Sequence, residues 1–250
     1  MVLSVMFHWD LALIVAFLGT AVPWMGRRRV QQLLRVPQTS TVERLTLYAS
    51  TMAFQWLIAA VILWRVTAER IAIQRLGVQL PHALLTGTVA AGLSALIFAN
   101  QMYSVRRIGA AKVDERNILI QLALKIFPQN VTERLAFFAV VVTVALCEEW
   151  IYRGFVQLMF QSWARSAVAG IVGSAVLFAG AHVYQGRRGI VSTFSVGLIF
   201  SVVRFWTGSL VPSVAAHFVA DLTTGYLAPH FVMAAIRNRS VSDGTINGRL

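Results

Sequence analysis

Long apolar runs alternate with short basic stretches along the whole chain. A helix that crosses a bilayer needs about 20 mostly apolar residues. The pattern predicts about seven such helices. They cover residues 5–25, 45–64, 84–105, 135–160, 166–182, 189–208 and 211–236. Because unpaired backbone groups are not tolerated in lipid, we expect an all-α transmembrane helical bundle without strands.

Two connections between the predicted helices carry further signals. The last two runs are almost contiguous, so a tight turn is expected at residues 208–212. In the longest connection, residues 117–127 place Ile118, Leu122 and Ile126 at i, i+4 and i+8. This spacing predicts either an amphipathic helix on the cytoplasmic membrane surface or a short helix packed on the bundle.

The composition also indicates lipid as the solvent. Hydrophobic residues make up 57% of the chain and charged residues 13%, whereas soluble domains average about 25% charged residues. The one cysteine, Cys147, excludes a disulfide within the chain and a four-thiolate metal site. The first run is followed by arginines at 27–29 rather than by a cleavage site, so it is interpreted as a retained span.

The net charge of +12 comes from basic residues that cluster between the apolar runs. If the N-terminus lies outside the cell, the inward loops and the tail contain 16 of the 22 basic residues. The positive-inside rule therefore favours a multi-pass protein with its N-terminus outside and its C-terminus inside. No basic face with interleaved aromatic residues is present, so we expect a lipid bilayer and no nucleic acid as partner.

Ionisable residues inside the runs suggest how the chain is organised. They cluster in the last four runs and are almost missing from the interiors of the first three. Residues 1–134 are predicted to form N-terminal spans with an amphipathic loop, and residues 135–236 a catalytic core. A polar tail, residues 237–250, follows, and all three parts are expected to form one structural unit.

The fourth run contains adjacent carboxylates, Glu148 and Glu149, followed by Arg153. On an α-helix, Glu149 and Arg153 at i, i+4 can pair, while Glu148 points about 100° away. This pattern suggests that Glu149 is neutralised by Arg153 and that Glu148 is kept for chemistry. The alternative is a helix end at the interface, with both carboxylates solvated.

Histidines stand near the end of the fifth run and within the seventh. His182 closes the segment Phe178-Ala-Gly-Ala-His, and His217 precedes Asp221 by one helical turn. Each of these has an ordinary structural explanation when taken alone. Together with Glu148, however, two imidazoles and a carboxylate on neighbouring helices suit general-base activation of water, or a zinc ion with a bound water.

These three motifs resemble those of the CAAX prenyl-protease and bacteriocin-processing (CPBP, or Abi) family. The resemblance covers residues 135–226 and rests on Glu148-Glu149-x-x-x-Arg153, Phe178-x-x-x-His182 and His217-x-x-x-Asp221. It implies an intramembrane endopeptidase acting on a peptide or protein in the membrane. It also implies a location in a prokaryotic plasma membrane, where relatives are peptide-processing or self-immunity proteins.

The resemblance also implies roles for the motif residues. Glu148 and His182 would activate a water, with no cofactor, and the third motif would stabilise the oxyanion. Position 221 is Asp, where prenyl-protease members carry Asn. An ionised Asp cannot donate to an oxyanion, so we expect Asp221 to orient and charge His217.

Three other functions compete with this interpretation. The first is a zinc-dependent membrane protease that uses Glu148, His182 and His217 as ligands. The second is a non-catalytic bacteriocin self-immunity or scaffold protein. The third is a transporter that uses the same residues as a proton relay, although paired broken helices are missing from the pattern.

Overall fold

The computed structural model describes residues 8–36, 38–110 and 118–246, and every regular element in these ranges is helical. The helices are α1 (Trp9–Arg35), α2 (Thr41–Ala68), α3 (Ala83–Ala110), α4 (Ile118–Ile126), α5 (Val131–Glu148), α6 (Gln157–Trp163), α7 (Ala167–Ala181), α8 (Gly186–Thr207) and α9 (Val211–Ile246). A π-helical segment, Glu149–Val156, joins α5 and α6 into one rod, and short 3-10 turns, Ile73–Leu76 and Val183–Gln185, precede α3 and α8. The predicted all-α architecture is confirmed.

Five helical rods in the described ranges are long and apolar enough to cross a membrane. They are Trp9–Arg35, Thr41–Ala68, Ala83–Arg106, Val131–Trp163 and Val183–Thr207. Helix α7 has 15 residues, fewer than the about 20 that a complete span needs. The count of about seven spans therefore stays a prediction.

Large apolar side chains cover the outside of the rods. Leu84 is 88% exposed, Trp9 72% and Leu135 70%. Water-soluble monomers rarely expose continuous apolar surface, whereas helices that face lipid do so by necessity. The chain is thus an integral membrane protein that crosses the bilayer several times.

Several helix ends are fixed by local sequence. Ser40 and Glu43 form a capping box at the start of α2, and Ser166 caps α7. Gly208 ends α8 with φ +69°, a left-handed conformation that glycine adopts without steric cost. Helix α9 begins at Val211, so the predicted tight turn is confirmed.

Helix α4 occupies the stretch in which an amphipathic segment was predicted, although residue 117 lies outside the described ranges. Leu122 is only 5% exposed, and Ile126 packs beside the Tyr48–Phe137 pair. The hydroxyl of Tyr48 donates a hydrogen bond to the carbonyl of Ile126. Of the two interpretations, the helix packed on the bundle is the one that the structure supports.

Two helices extend beyond their predicted ends. Helix α1 continues through the basic stretch to Arg35, and α9 continues to Ile246 through most of the predicted tail. Apolar length predicts where a helix leaves the hydrocarbon but not where it stops. Arginine, glutamine and leucine all favour helix, so α1 continues into the polar region.

A buried apolar cluster joins α1, α2, the π-helical segment and α7. Its members include Leu18, Ile62, Phe155, Met159 and Phe178. Helix α9 packs along α3 and also against α5. These two sets of contacts bring the π-helical segment, the end of α7 and the middle of α9 together in the bundle interior.

Gly225 on α9 lies directly against the ring of Phe137 on α5. A Cβ atom at position 225 would overlap Cε1 of Phe137, and edge contacts with Tyr48 and Tyr226 hold that ring. We expect Gly225→Ala to lower the free energy of unfolding by about 1–3 kcal/mol through overpacking. Thermal denaturation in detergent measures the change.

Gly87 provides a matched control on α3. A Cβ atom there meets nothing within 4 Å, so Gly87→Ala should be neutral or slightly stabilising through helix propensity. Equal melting of Gly225→Ala and the unchanged chain would contradict the close approach of α5 and α9.

Candidate active site

The π-helical segment, Glu149–Val156, carries two charged side chains into the bundle interior. Glu149 and Arg153 are both 0% exposed. The carbonyl of Tyr152 accepts the backbone N–H five residues later and a second bond, 2.8 Å, from the Ser174 hydroxyl on α7. Such π-helical turns within α-helices occur frequently at functional sites.

Glu149 and Arg153 form the ion pair that their spacing predicts. Nη1 of Arg153 donates to Oε1 of Glu149 over 2.8 Å. The guanidinium lies 3.9 Å from the ring centroid of Phe178 and 5.3 Å from that of Phe200. The arginine charge therefore lies against a carboxylate and two aromatic faces, which offset part of the cost of burying it.

His217 on α9 extends this network. Its Nδ1 lies 2.8 Å from Oε1 of Glu149, and since an ionised carboxylate only accepts, Nδ1 is the donor. The other ring nitrogen, Nε2, lies 3.9 Å from Oε2 of Glu148 and 3.6 Å from Oδ2 of Asp221. Nε2 is therefore the nitrogen that faces the remaining carboxylates.

In the structure, Glu149 rather than the predicted Asp221 orients the His217 ring. The hydrogen bond that fixes the imidazole is donated by its Nδ1 to Glu149, at 2.8 Å, whereas Asp221 lies 3.6 Å from Nε2. The i, i+4 spacing brings Asp221 beside the ring, but the α5–α6 rod brings Glu149 to Nδ1. Asp221 is 36% exposed and contributes charge near Nε2.

Glu148 is held by a side chain from another helix. Nε2 of Gln55 on α2 donates to Oε1 of Glu148 over 2.9 Å. The second oxygen, Oε2, is buried and lacks a hydrogen-bond partner within the described part of the chain. A carboxylate with one oxygen held and the other available has the form that a general base needs.

His182 lies at the C-terminal cap of α7 and is half-buried. Its Nδ1 lies 2.8 Å from the carbonyl oxygen of Phe178, which can only accept, so Nδ1 carries the proton. The ring also contacts the Phe178 ring, with 4.8 Å between centroids. This arrangement leaves Nε2 of His182 as the nitrogen that can exchange a proton.

Glu148 and His182 line one cavity of about 730 Å³. Helices α1, α2 and α4 form much of its wall, together with α5, the π-helical segment and the residues that follow α7. The wall is mainly apolar, and its members include Leu18, Val22, Phe54, Ile58 and Ile126. A cavity of this size and lining is suited to apolar side chains of a peptide.

Direct contacts link five of the six predicted site residues, and the sixth, His182, shares only a cavity with Glu148. Arg153, Glu149 and His217 form a continuous hydrogen-bonded chain. Glu148 and Asp221 flank the free nitrogen of His217. His182 joins this group through the cavity that it shares with Glu148.

The proposed zinc ligands do not lie close enough to share an ion as they stand. Ligand atoms lie about 2.0–2.2 Å from zinc and hence within a few ångströms of one another. Across residues 8–36, 38–110 and 118–246, the one trio of such atoms within 4.8 Å is His8, Asp10 and Glu69. Glu148, His182 and His217 would have to move before they could bind zinc together.

Residues 130–223 match the family model described as Type II CAAX prenyl endopeptidase Rce1-like. This segment belongs to the CAAX-protease family. The match begins at the cap of α5 and ends within α9, so it contains all six predicted site residues. Comparison with curated proteins and with solved structures finds no match.

The CAAX-protease segment does not contain the whole site. Gln55, which bonds Glu148, comes from α2 and was missed by sequence reasoning, as was Ser174 on α7. The one signal for Gln55 is a lone amide in the middle of an apolar run. Ser174 lies among the small residues of α7, where its sequence gives no signal of a role.

Proposed function

We propose that this chain is an intramembrane endopeptidase in which Glu148 and His182 act on a water molecule and a peptide bond. The observation that carries the proposal is the shared cavity: Glu148 and His182 both line it, and Oε2 of Glu148 lacks a hydrogen-bond partner within the described residues. A positioned base and a positioned acid in a mainly apolar cavity are the components of peptide hydrolysis.

In the proposed reaction, Oε2 of Glu148 takes a proton from water as the water oxygen attacks the substrate carbonyl carbon. The tetrahedral intermediate then collapses, and the C–N bond breaks as protonated His182 gives its Nε2 proton to the leaving amine. A proton passed from Glu148 to His182 restores both groups. Each group thus has the protonation state that its step requires.

His217 is proposed to stabilise the oxyanion. When both ring nitrogens carry protons, Nδ1 donates to Glu149 and Nε2 can donate to the negatively charged oxygen. Glu149 then acts as the positioning residue for His217, and Arg153 compensates the buried charge of Glu149. Neither Glu149 nor Arg153 has to touch the substrate in this scheme.

The substrate is proposed to be a peptide or a protein segment in the membrane whose apolar side chains fill the cavity. The matched family description names CAAX prenyl substrates, so a prenylated CAAX peptide is the first compound to test. We also propose the orientation with the N-terminus outside, which follows from the distribution of basic residues.

The proposal is tested by comparing membrane peptides from cells that produce the unchanged chain or Glu148→Gln at equal abundance. We expect peptides that disappear, and cleavage products that appear, with the unchanged chain alone, because Gln cannot accept the water proton. Identical peptide profiles would count against proteolysis and would favour the self-immunity or scaffold function.

Purified protein separates the glutamic mechanism from the zinc alternative. Turnover that persists after chelation and dialysis would support Glu148 and His182 acting alone. Activity that is lost with chelator and restored by zinc would favour the metalloprotease, with Glu148, His182 and His217 moving together around the ion.

A further inference from the structure

Gln55 lies halfway along α2 (Thr41–Ala68), outside the segment that matches the family. Burying a polar amide at this depth costs free energy unless the amide forms a hydrogen bond. Its amide nitrogen donates to Oε1 of Glu148 over 2.9 Å, across 93 residues of sequence. A carboxylate only accepts, so the amide orientation is fixed by chemistry.

We propose that Gln55 is a positioning residue for Glu148, an inference that rests on the proposed function. By holding Oε1, the amide leaves Oε2 as the oxygen that accepts the water proton. The bond also fixes the carboxylate plane toward the cavity that α1 and α2 help to form. The reactive geometry thus depends on a helix that lies outside the segment matched by the family model.

A purely structural role for Gln55 is the competing explanation. Polar side chains do join helices in membranes by hydrogen bonds. However, the next residue, Trp56, already links α2 to α5, because its indole N–H donates to Thr143 Oγ1 over 3.3 Å. This neighbouring bond lies away from Glu148 and supplies a matched control.

The test uses the full-length protein purified in detergent, with Gln55→Met and Trp56→Phe. Methionine keeps the length of glutamine without its donor, and phenylalanine removes the indole donor at position 56. On a prenylated CAAX peptide, we expect Gln55→Met to lower kcat about tenfold with KM unchanged. We expect Trp56→Phe to keep the kcat of the unchanged chain.

The pH profile supplies a readout that a structural role would not move. We expect Gln55→Met to change the acid limb of kcat/KM and Trp56→Phe to leave it unchanged, because the donated bond acts on the carboxylate that serves as base. The other charged or titratable groups around Glu148 stay unchanged in this variant. They are Cys147, Glu149, Tyr152, Arg153, His182, Tyr184, His217 and Asp221.

An infrared measurement tests the contact without a substrate. The carboxylate band of Glu148 is the one that Glu148→Gln removes, and we expect it to change frequency in Gln55→Met but not in Trp56→Phe. The inference is overturned if Gln55→Met keeps the kcat, the acid limb of the pH profile and the carboxylate band of the unchanged chain. A lower folded yield with normal kcat per folded molecule would overturn it as well.

A failure of the proposed function can be distinguished from a failure of the role proposed for Gln55. If Glu148→Gln hydrolyses the peptide as fast as the unchanged chain, the catalytic role of Glu148 is wrong, whatever Gln55→Met does. If Glu148→Gln is inactive and Gln55→Met matches the unchanged chain, the proposed function stands and the role of Gln55 alone is overturned.

Discussion

Arg153→Ala is expected to destabilise the folded chain by about 3–5 kcal/mol, the usual cost of removing one member of a buried ion pair. The arginine is 0% exposed and bonds Glu149 at 2.8 Å. Alanine would leave that carboxylate buried without its cation and would open a gap beside Phe178. Folded yield and thermal denaturation in detergent should both fall, together with activity.

Two further variants define the origin of this loss. Arg188→Ala removes an arginine that is exposed at the start of α8, and it should leave melting unchanged. The double change Arg153→Met with Glu149→Gln removes both charges, so it should lose less stability than Arg153→Ala. Normal yield and melting of Arg153→Ala without activity would instead place Arg153 in the catalytic step.

Helix geometry explains why the Glu149–Arg153 pair could be predicted from sequence. Residues four apart lie on one face of an α-helix, and they stay close enough to bond even in the π-helical segment that the structure contains. The same reasoning separates Glu148 from the pair. These relations are local, so they do not depend on how the helices are arranged.

Contacts between helices could not be derived in this way. The bond from Gln55 to Glu148 depends on the register and rotation of α2 against α5, which an apolar pattern around each helix does not specify. The partner of His217 shows the same limit, because Asp221 is near in sequence but the imidazole forms its 2.8 Å hydrogen bond with Glu149. Sequence proximity therefore selected the wrong orienting carboxylate.

The π-helical segment also escaped prediction. Nothing in its composition distinguishes Glu149–Val156 from an ordinary α-helical turn. Its extra residue per turn is stabilised from outside, where the Ser174 hydroxyl of α7 bonds the Tyr152 carbonyl. Tertiary packing thus sets the directions in which the Glu148 and Glu149 side chains project. The position of the proposed general base follows from this packing.

His182→Ala is expected to lower kcat by about 10²–10⁴-fold, the usual contribution of a general acid or base. The half-buried ring forms a hydrogen bond with the carbonyl of Phe178, and His182 lines the cavity together with Glu148. Its removal should therefore change stability little, in contrast to Arg153→Ala. Turnover of a prenylated CAAX peptide and thermal denaturation, measured on the same preparation, separate the two effects.

His82 supplies the matched histidine for this experiment, since it is exposed and lies away from the cavity. Its φ of +56° is tolerated by asparagine, so His82→Asn should keep both melting and turnover. Turnover of His182→Ala within about threefold of the unchanged chain would remove His182 from the proton-transfer step. The donor to the leaving amine would then have to be His217, whose Nε2 already faces Glu148 at 3.9 Å.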